Sequence, residues 1–475
     1  MATVSNDVFF ASIAELTTRL RAKEFSSVEL TRAFCDRLEQ IGPRYNAMAL
    51  SLKEHAIRKA HAADEELKRG RYRALQGIPY GVKDLIAVKG HPTTWGAKPF
   101  AAQVFDADAR VVERLDKAGA ILIGKLAMIQ LAGGGYKSAG ASLTGPCLNP
   151  WDRTRWAGGS SSGSAAATSA GLVTFALGTE TNGSIVTPSA FCGVTGLRPT
   201  YGLVSRHGVM AASWTMDKVG PLCHSAEDCG LVLQVIAGGD PQDPGSAAKG
   251  FAYAPQFARK PQDLTVGYAP VDFEEWVDAA ARPAFQTALE AVKSLGVRLK
   301  EIQLPDFPYA AIAETISRGD RVSIFEDLIR SGQVDQLADK AQIAWLKESL
   351  NLTACEYLKA QRIRSLIQDA FRSLFIDVDL ILAPGRIDLA PRISDPIDAG
   401  STRNPEPKLP GMHARLVAAG NLAGLPAISL PCGFAGNLPV GISFVGRPWY
   451  ENQVIGLGRM FQTQTDWHRR RPPVA

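Results

Sequence analysis

The pattern of apolar and polar positions in the first part of the chain predicts helices and then a buried strand. Residues 26–29 (SSVE) resemble a capping box, in which serine and glutamate side chains bond backbone N–H groups at the start of a helix. Apolar residues then recur at helical spacing, at Leu30, Phe34 and Leu38. A second helical pattern stops at Gly119, and the apolar run at 120–123 (AILI) predicts a strand.

The second half of the chain alternates between strand and helix patterns. Residues 264–268 (LTVGY) and 379–382 (DLIL) are typical of strands. Between them a helix is expected to begin at Pro283 and to end at Gly296, and another helix is expected over 416–422. Such alternation favours an α/β fold class with a central sheet. The stretch 238–261, rich in Asp, Pro, Gln and Gly, is expected to be a long surface connection.

Composition and charge exclude several classes of protein. The 475 residues are 46% hydrophobic and 21% charged, which is ordinary for a globular chain. A net charge of +5, from 52 basic and 47 acidic residues, gives no reason to expect a nucleic acid or membrane partner. The most apolar stretch, 165–178, is shorter than the roughly 20 residues that span a bilayer. Seven cysteines without CxxC spacing, and no secretory signal pattern, indicate reduced thiols in a cytoplasmic protein.

Three familiar kinds of site fit the glycine-rich segments poorly. Residues 159–163 (GSSSG) formally match the nucleophile elbow G-x-S-x-G with Ser161 at its centre. An elbow follows an apolar strand, whereas residues 152–157 (DRTRWA) are mostly polar, and His413 or His468 would have to complete the triad. The glycine runs lack the residues that complete a phosphate-binding loop, and no two histidines share ligand spacing. We therefore expect neither a cofactor nor a metal.

A series of motifs across most of the chain closely resembles the amidase signature family. They are GIPYGVKD at 77–84, WAGGSSSGS at 156–164, LGTETNGS at 177–184, FCGVTGLRPT at 191–200, NLAGLPA at 421–427 and PVGI at 439–442. The resemblance implies a single domain, an α/β/α sandwich around a central mixed, twisted sheet. Within it we expect a helical part over 1–75, a catalytic core over 76–240, a variable pocket-shaping region over 263–415 and a C-terminal return to the core over 416–475.

The resemblance also implies a catalytic relay. Ser184 is implied to be the nucleophile, Ser160 to follow a cis peptide bond and relay a proton, and Lys83 to be the base. The oxyanion hole is implied to form from the backbone N–H groups of Thr181, Asn182, Gly183 and Ser184. A serine is a poor nucleophile until a base takes its proton, and a lysine can do so only when it is neutral. Lys83 should therefore be buried, because burial lowers the pKa of an amine.

Departures from the family pattern bear on the substrate. Many members carry Asp and Gly where this chain has Glu180 and Asn182, and an arginine two residues after the nucleophile, where this chain has Val186. An arginine there pairs well with a carboxylate, so its absence favours a neutral substrate. Glycines replace common serines on the acyl side of the pocket, which we expect to widen it for substrate binding; they are Gly133, Gly134 and Gly135. Arg386 is expected to be a surface cation.

Two functions remain after these arguments. The first is a serine amidase that hydrolyses the C–N bond of a neutral small-molecule amide, and an ester or carbamate (urethane) by the same acyl-enzyme route. The alternative is the glutaminase A subunit of a tRNA-dependent amidotransferase, which works only with partner chains. The absence of an arginine at position 186 favours the first function.

Overall fold

The computed structural model describes residues 4–257, 259–397 and 414–473. Its α-helices are α1 Ile13–Arg21, α2 Ser27–Ile41, α3 Lys53–Lys68, α4 Arg110–Lys117, α5 Ser162–Ser169, α6 Val186–Cys192, α7 Ala226–Ile236, α8 Val271–Glu274, α9 Arg282–Ser294, α10 Tyr309–Arg330, α11 Lys340–Ser349, α12 Ala354–Asp377, α13 Arg415–Ala423 and α14 Glu451–Gln464. Its strands are β1 Met48–Ser51, β2 Pro79–Lys83, β3 Ile121–Leu126, β4 Leu148–Asn149, β5 Asp152–Trp156, β6 Phe175–Glu180, β7 Thr195–Arg198, β8 Lys218–Cys223, β9 Thr265–Tyr268, β10 Arg298–Glu301, β11 Leu380–Pro384, β12 Ala427–Ala435 and β13 Leu438–Gly446.

One large mixed sheet organises the molecule. Among the described residues, eleven strands lie in the order β1-β3-β2-β6-β8-β7-β12-β13-β11-β9-β10, and β4 pairs with β5 in a separate hairpin. The strands of β3-β2-β6 are parallel to one another, as are those of β11-β9-β10, while the pairs between these groups are antiparallel. The expected α/β/α sandwich around a mixed sheet is confirmed.

The local patterns place most of the elements correctly. The capping box at Ser26 and Glu29 is formed, and it starts α2 at Ser27. The strand expected at 120–123 is β3, the helix expected from Pro283 is α9, and the helix expected over 416–422 is α13. All seven cysteines are free thiols.

Two expectations about the segments that flank the predicted catalytic core need correction, those for residues 1–75 and 238–261. The first 75 residues are not purely helical, because β1 pairs antiparallel with β3 at the edge of the sheet. The stretch 238–261 is not a solvated connection throughout, because Asp240 and Asp243 are buried. Asp240 accepts hydrogen bonds from Arg110 and Ser205, so this part of the stretch packs on the core. The division into parts at 75, 240 and 415 stays a prediction.

The parallel strands bring the signature motifs to one edge of the sheet. Lys83 is the last residue of β2, Glu180 is the last residue of β6, and β3 ends at Leu126 before the glycine-rich loop. Because neighbouring parallel strands all end at the same edge, these segments meet there, as ligand sites do in open α/β sheets. Over the ranges that the structure describes, no helix is long and apolar enough to cross a membrane.

Candidate active site

Lys83 lies in the interior, at the end of β2, and is fully buried. Its Nζ donates to Ser160 Oγ at 2.7 Å and to Thr179 Oγ1 at 2.9 Å. Burial lowers the pKa of this amine well below its usual range; the charge of Asp217 opposes the shift and that of Arg321 adds to it. Burial therefore favours the neutral form of this amine, which has a lone pair that can accept a proton.

Ser160 is held in the segment between β5 and α5, and it is also buried. The peptide bond between Gly159 and Ser160 is cis, as the resemblance implies. The neighbouring Ser161 is fully buried and bonds β6 twice, donating to the carbonyl of Thr179 and accepting its N–H. Ser161 therefore ties the two segments together and has no access to a substrate, which removes the elbow interpretation. His413 lies outside the described residues.

Ser184 stands on the tight turn between β6 and α6. Gly183 has φ +95°, a backbone conformation that side chains rarely adopt. The carbonyl of Ser184 accepts the N–H of Ser161 at 3.3 Å, which fixes the turn of the expected nucleophile beside the segment that carries Ser160. Thr181 Oγ1 donates to Asp217 Oδ1 at 2.5 Å, so the start of the turn is anchored as well.

Glu180 clamps this turn from inside the protein. Its Oε2 accepts the backbone N–H groups of Ile185 and Val186, at 2.8 and 2.9 Å. Its Oε1 accepts from Arg198 Nη1 at 2.9 Å and from Asn421 Nδ2 at 2.8 Å. Burial alone raises the pKa of this carboxyl, but the charge of Arg198 and these hydrogen bonds lower it to about 2. Glu180 is therefore ionised at neutral pH. The sequence distinguishes this residue only as a departure from the family pattern and does not indicate that it holds the turn.

A cleft of about 1230 Å³ opens above the turn. Its floor includes Gly159, Thr181, Asn182 and Ser184, and the walls come mainly from α10, α11 and the segment before α10. These walls lie within the stretch that was expected to shape the pocket mouth. Aromatic and small side chains dominate them: Trp276, Phe307, Tyr309, Trp345, Ala310, Ala311, Ala313, Ala341, Ala344 and Ala418.

The three glycines of the predicted acyl side do not have the same environment. Gly134 and Gly135 line the cleft, whereas Gly133 is not among the described lining residues, and its carbonyl accepts from Gln342 Nε2 at 2.9 Å. A Cβ at Gly135 would lie 2.4 Å from Cβ of Trp345. Glycine at this position therefore allows Trp345 to pack closely against the loop.

Arg318 and Arg415, which line the cleft, pair with carboxylates, whereas Arg321, which also lines it, forms no ion pair within the described residues. Arg318 pairs with Glu314 at 3.1 Å and lies over the ring of Trp345. Arg415 pairs with Asp272 at 3.0 Å and lies over another tryptophan ring. Each of these charges has a counterion within reach and is thereby partly neutralised.

The structure shows the surroundings of two positions at which this chain departs from the family pattern, Val186 and Arg386. Val186 is 1% exposed and packs against Ala414 and Val417, so the position where many members have arginine is apolar in this chain. The expectation that Arg386 is a surface cation is wrong, because it is buried and pairs with Asp388 at 2.7 Å. A buried guanidinium needs such a partner to offset its lost hydration.

Comparison with known proteins agrees with this architecture. The model of the Amidase family matches residues 29–455. The A subunit of the glutamyl-tRNA(Gln) amidotransferase of Coxiella burnetii is 37% identical over 487 aligned residues, which cover 98% of this chain and 99% of that protein. The native peptide amidase of Stenotrophomonas maltophilia has a TM-score of 0.83 at 29% identity, over 98% of both chains. A bacterial aryl acylamidase of the amidase signature family has a TM-score of 0.88 over 98% of both chains, and at 23% identity it shows likeness of fold alone. The chain belongs to the amidase signature family of enzymes that hydrolyse C–N bonds.

Proposed function

We propose that this protein hydrolyses an amide through an acyl-enzyme at Ser184. The observation that carries the proposal is the fully buried Lys83, whose amine lies 2.7 Å from Ser160 Oγ. In the proposed step, the Ser184 proton passes to Ser160 while the Ser160 proton passes to the neutral Lys83. Ser184 Oγ then attacks the amide carbon. When the C–N bond breaks, Ser160 gives one proton to the leaving nitrogen while Lys83 returns its proton to Ser160, and water later cleaves the acyl ester and restores the Ser184 hydroxyl.

The nucleophile turn is suited to bind the oxyanion that this attack creates. Its backbone N–H groups belong to Thr181, Asn182, Gly183 and Ser184, the residues that the family resemblance implies. The clamp from Glu180 fixes the next two N–H groups, of Ile185 and Val186, and so limits movement of the turn. Each well-placed donor in an oxyanion hole contributes about 10²- to 10³-fold to the rate.

A neutral amide is the first candidate substrate, with esters and carbamates as further substrates of the same route. The support is that Arg318 and Arg415, which line the cleft, pair with carboxylates, and that Val186, at the start of α6, lies among apolar residues. The cleft also exceeds the roughly 300–1,000 Å³ typical of small-molecule pockets, which favours a large substrate.

Glutamine is the second candidate, in a chain that acts as the glutaminase of a tRNA-dependent amidotransferase. The support is that several curated relatives, 36–37% identical over nearly the full chain, carry the name of that glutaminase chain. Likeness to curated relatives favours this candidate over a stand-alone amidase, whereas the apolar surroundings of Val186 favour the neutral substrate.

Assays of the purified chain alone separate the two candidates. A stand-alone amidase releases arylamine from aryl amides and prefers them to L-glutamine, whereas an isolated glutaminase chain has little activity on aryl amides and prefers glutamine. A fluorophosphonate probe, followed by mass spectrometry, tests the shared chemistry. We expect one adduct on Ser184 and none in Ser184→Ala; a wild-type chain that stays unlabelled would refute the acyl-enzyme.

A further inference from the structure

Helix α10 places one arginine beside the cleft with an unusual set of partners. Arg321 is 3% exposed; its Nη1 donates to the carbonyl of Leu131 at 2.6 Å and its Nη2 to that of Ala132 at 3.3 Å. Its Nε lies 3.2 Å from Ser317 Oγ. Within the described part of the chain no carboxylate forms an ion pair with it, so its direct hydrogen-bond partners are two carbonyl oxygens and one hydroxyl oxygen.

The two carbonyls that Arg321 binds belong to a strained turn. Leu131 and Ala132 have φ +52° and +56°, in the left-handed region that non-glycine residues rarely occupy. Such residues are energetically unfavourable and persist only when the surroundings hold them. Gly134 packs directly on the guanidinium, because a Cβ there would lie 2.8 Å from its Nε. Arg321 therefore stabilises a turn that local sequence alone would not favour.

The turn is connected by hydrogen bonds to the relay serine. The N–H of Ala132 donates to the carbonyl of Ile129 at 3.0 Å, and the N–H of Ile129 donates to the carbonyl of Ser160 at 3.2 Å. In addition, a Cβ on Gly159 would lie 2.9 Å from Cγ1 of Ile129, so the two segments are in close contact. A shift of the turn would therefore move the backbone that carries Ser160.

We propose that Arg321 is a positioning residue of the relay, which holds the 129–133 turn against Ser160 and places a fixed positive charge near Lys83. The inference rests on the proposed function, because it concerns the same relay. Among the charged groups around Lys83, Asp217 and Glu180 favour its protonated form and Arg321 disfavours it. The charge of Arg321 thus adds to the effect of burial, and both favour the neutral form of Lys83. Arg321 comes from the region outside the catalytic core, so this region serves the chemistry as well as the cleft.

The test measures the rate of fluorophosphonate labelling at Ser184 as a function of pH, in Arg321→Gln, Arg321→Lys and a control, Arg330→Gln. Arg330 lies on the same helix, and its side chain is 66% exposed. For Arg321→Gln we expect a rate about tenfold lower, and a midpoint about one pH unit higher because the cation is lost. Arg321→Lys keeps the charge but lacks the planar fork, so its rate falls while its midpoint stays. The control should match the wild type.

The possible results distinguish a failure of the inference about Arg321 from a failure of the proposed function. A wild-type rate and midpoint in Arg321→Gln would overturn the inference, as would a lower rate with an unchanged midpoint, since a merely structural role predicts that result. If Arg321→Gln does not fold, Arg321→Lys decides, and a wild-type rate in it would overturn the positioning role. An unlabelled wild-type chain would overturn the proposed function itself, and the relay that Arg321 serves with it.

Discussion

Glu180→Gln is expected to lower the free energy of unfolding by about 3 kcal/mol at pH 7. The pKa of this carboxyl falls from 4.5 to about 2 on folding, and each pKa unit corresponds to about 1.36 kcal/mol. Glutamine keeps one acceptor oxygen but turns an NH₂ group towards the backbone N–H groups or towards Arg198. The substitution therefore also leaves a buried guanidinium without its counterion.

The pH dependence of this effect has a defined sign. Because the folded pKa is lower than the unfolded one, the stabilisation by Glu180 is complete above about pH 5.5 and is lost as the pH falls through 4.5 towards 2. The wild type and Glu180→Gln should therefore differ most near neutral pH and should converge only as the pH approaches about 2. Urea denaturation followed by tryptophan fluorescence, at several pH values, measures this difference.

A surface carboxylate provides the matched control. Glu326 pairs with Arg330 on the exposed side of α10, and its side chain is 50% exposed. Glu326→Gln should change the free energy of unfolding by less than about 1 kcal/mol at any of these pH values. A loss below about 1 kcal/mol in Glu180→Gln, or a loss that does not depend on pH, would show that the reasoning about the buried network is wrong.

Three further predictions concern the relay and the cleft. Lys83→Met should lower labelling of Ser184 by about 10²- to 10⁴-fold. It should not lower stability: below pH 10.5 folding must bury an amine that is protonated in the unfolded chain, and this cost is absent in the variant. Its thermal melting midpoint at pH 7 should therefore be at or above that of the wild type. The wild-type rate should rise with pH as Lys83 loses its proton, and a flat rate from about pH 6 to 9 with chemistry limiting would argue against a lysine base. Gly135→Ala should destabilise the fold by about 1–3 kcal/mol more than Gly70→Ala in urea denaturation, since both have positive φ but only Gly135 faces Trp345.

The sequence by itself determined the secondary structure where the cause is local. The capping box at Ser26 specifies where α2 begins, and the apolar run after Gly119 specifies β3, because both depend on residues within a few positions. The signature motifs likewise located Lys83, Ser160 and Ser184 through their resemblance to a family. Their roles stay predictions until they are tested.

The tertiary structure decided what depends on distant segments of the chain. The pattern of apolar and polar residues cannot show that Arg386 is buried and pairs with Asp388, or that β1 joins the sheet beside β3, because these contacts depend on packing of the whole chain. The same holds for Arg321, which no motif distinguishes and which lies 161 positions from Ser160 in the sequence. Local pattern therefore fixed many of the helices and strands, whereas the charges and contacts that surround Lys83, Ser160 and Ser184 came only with the fold, since electrostatics and packing act through space.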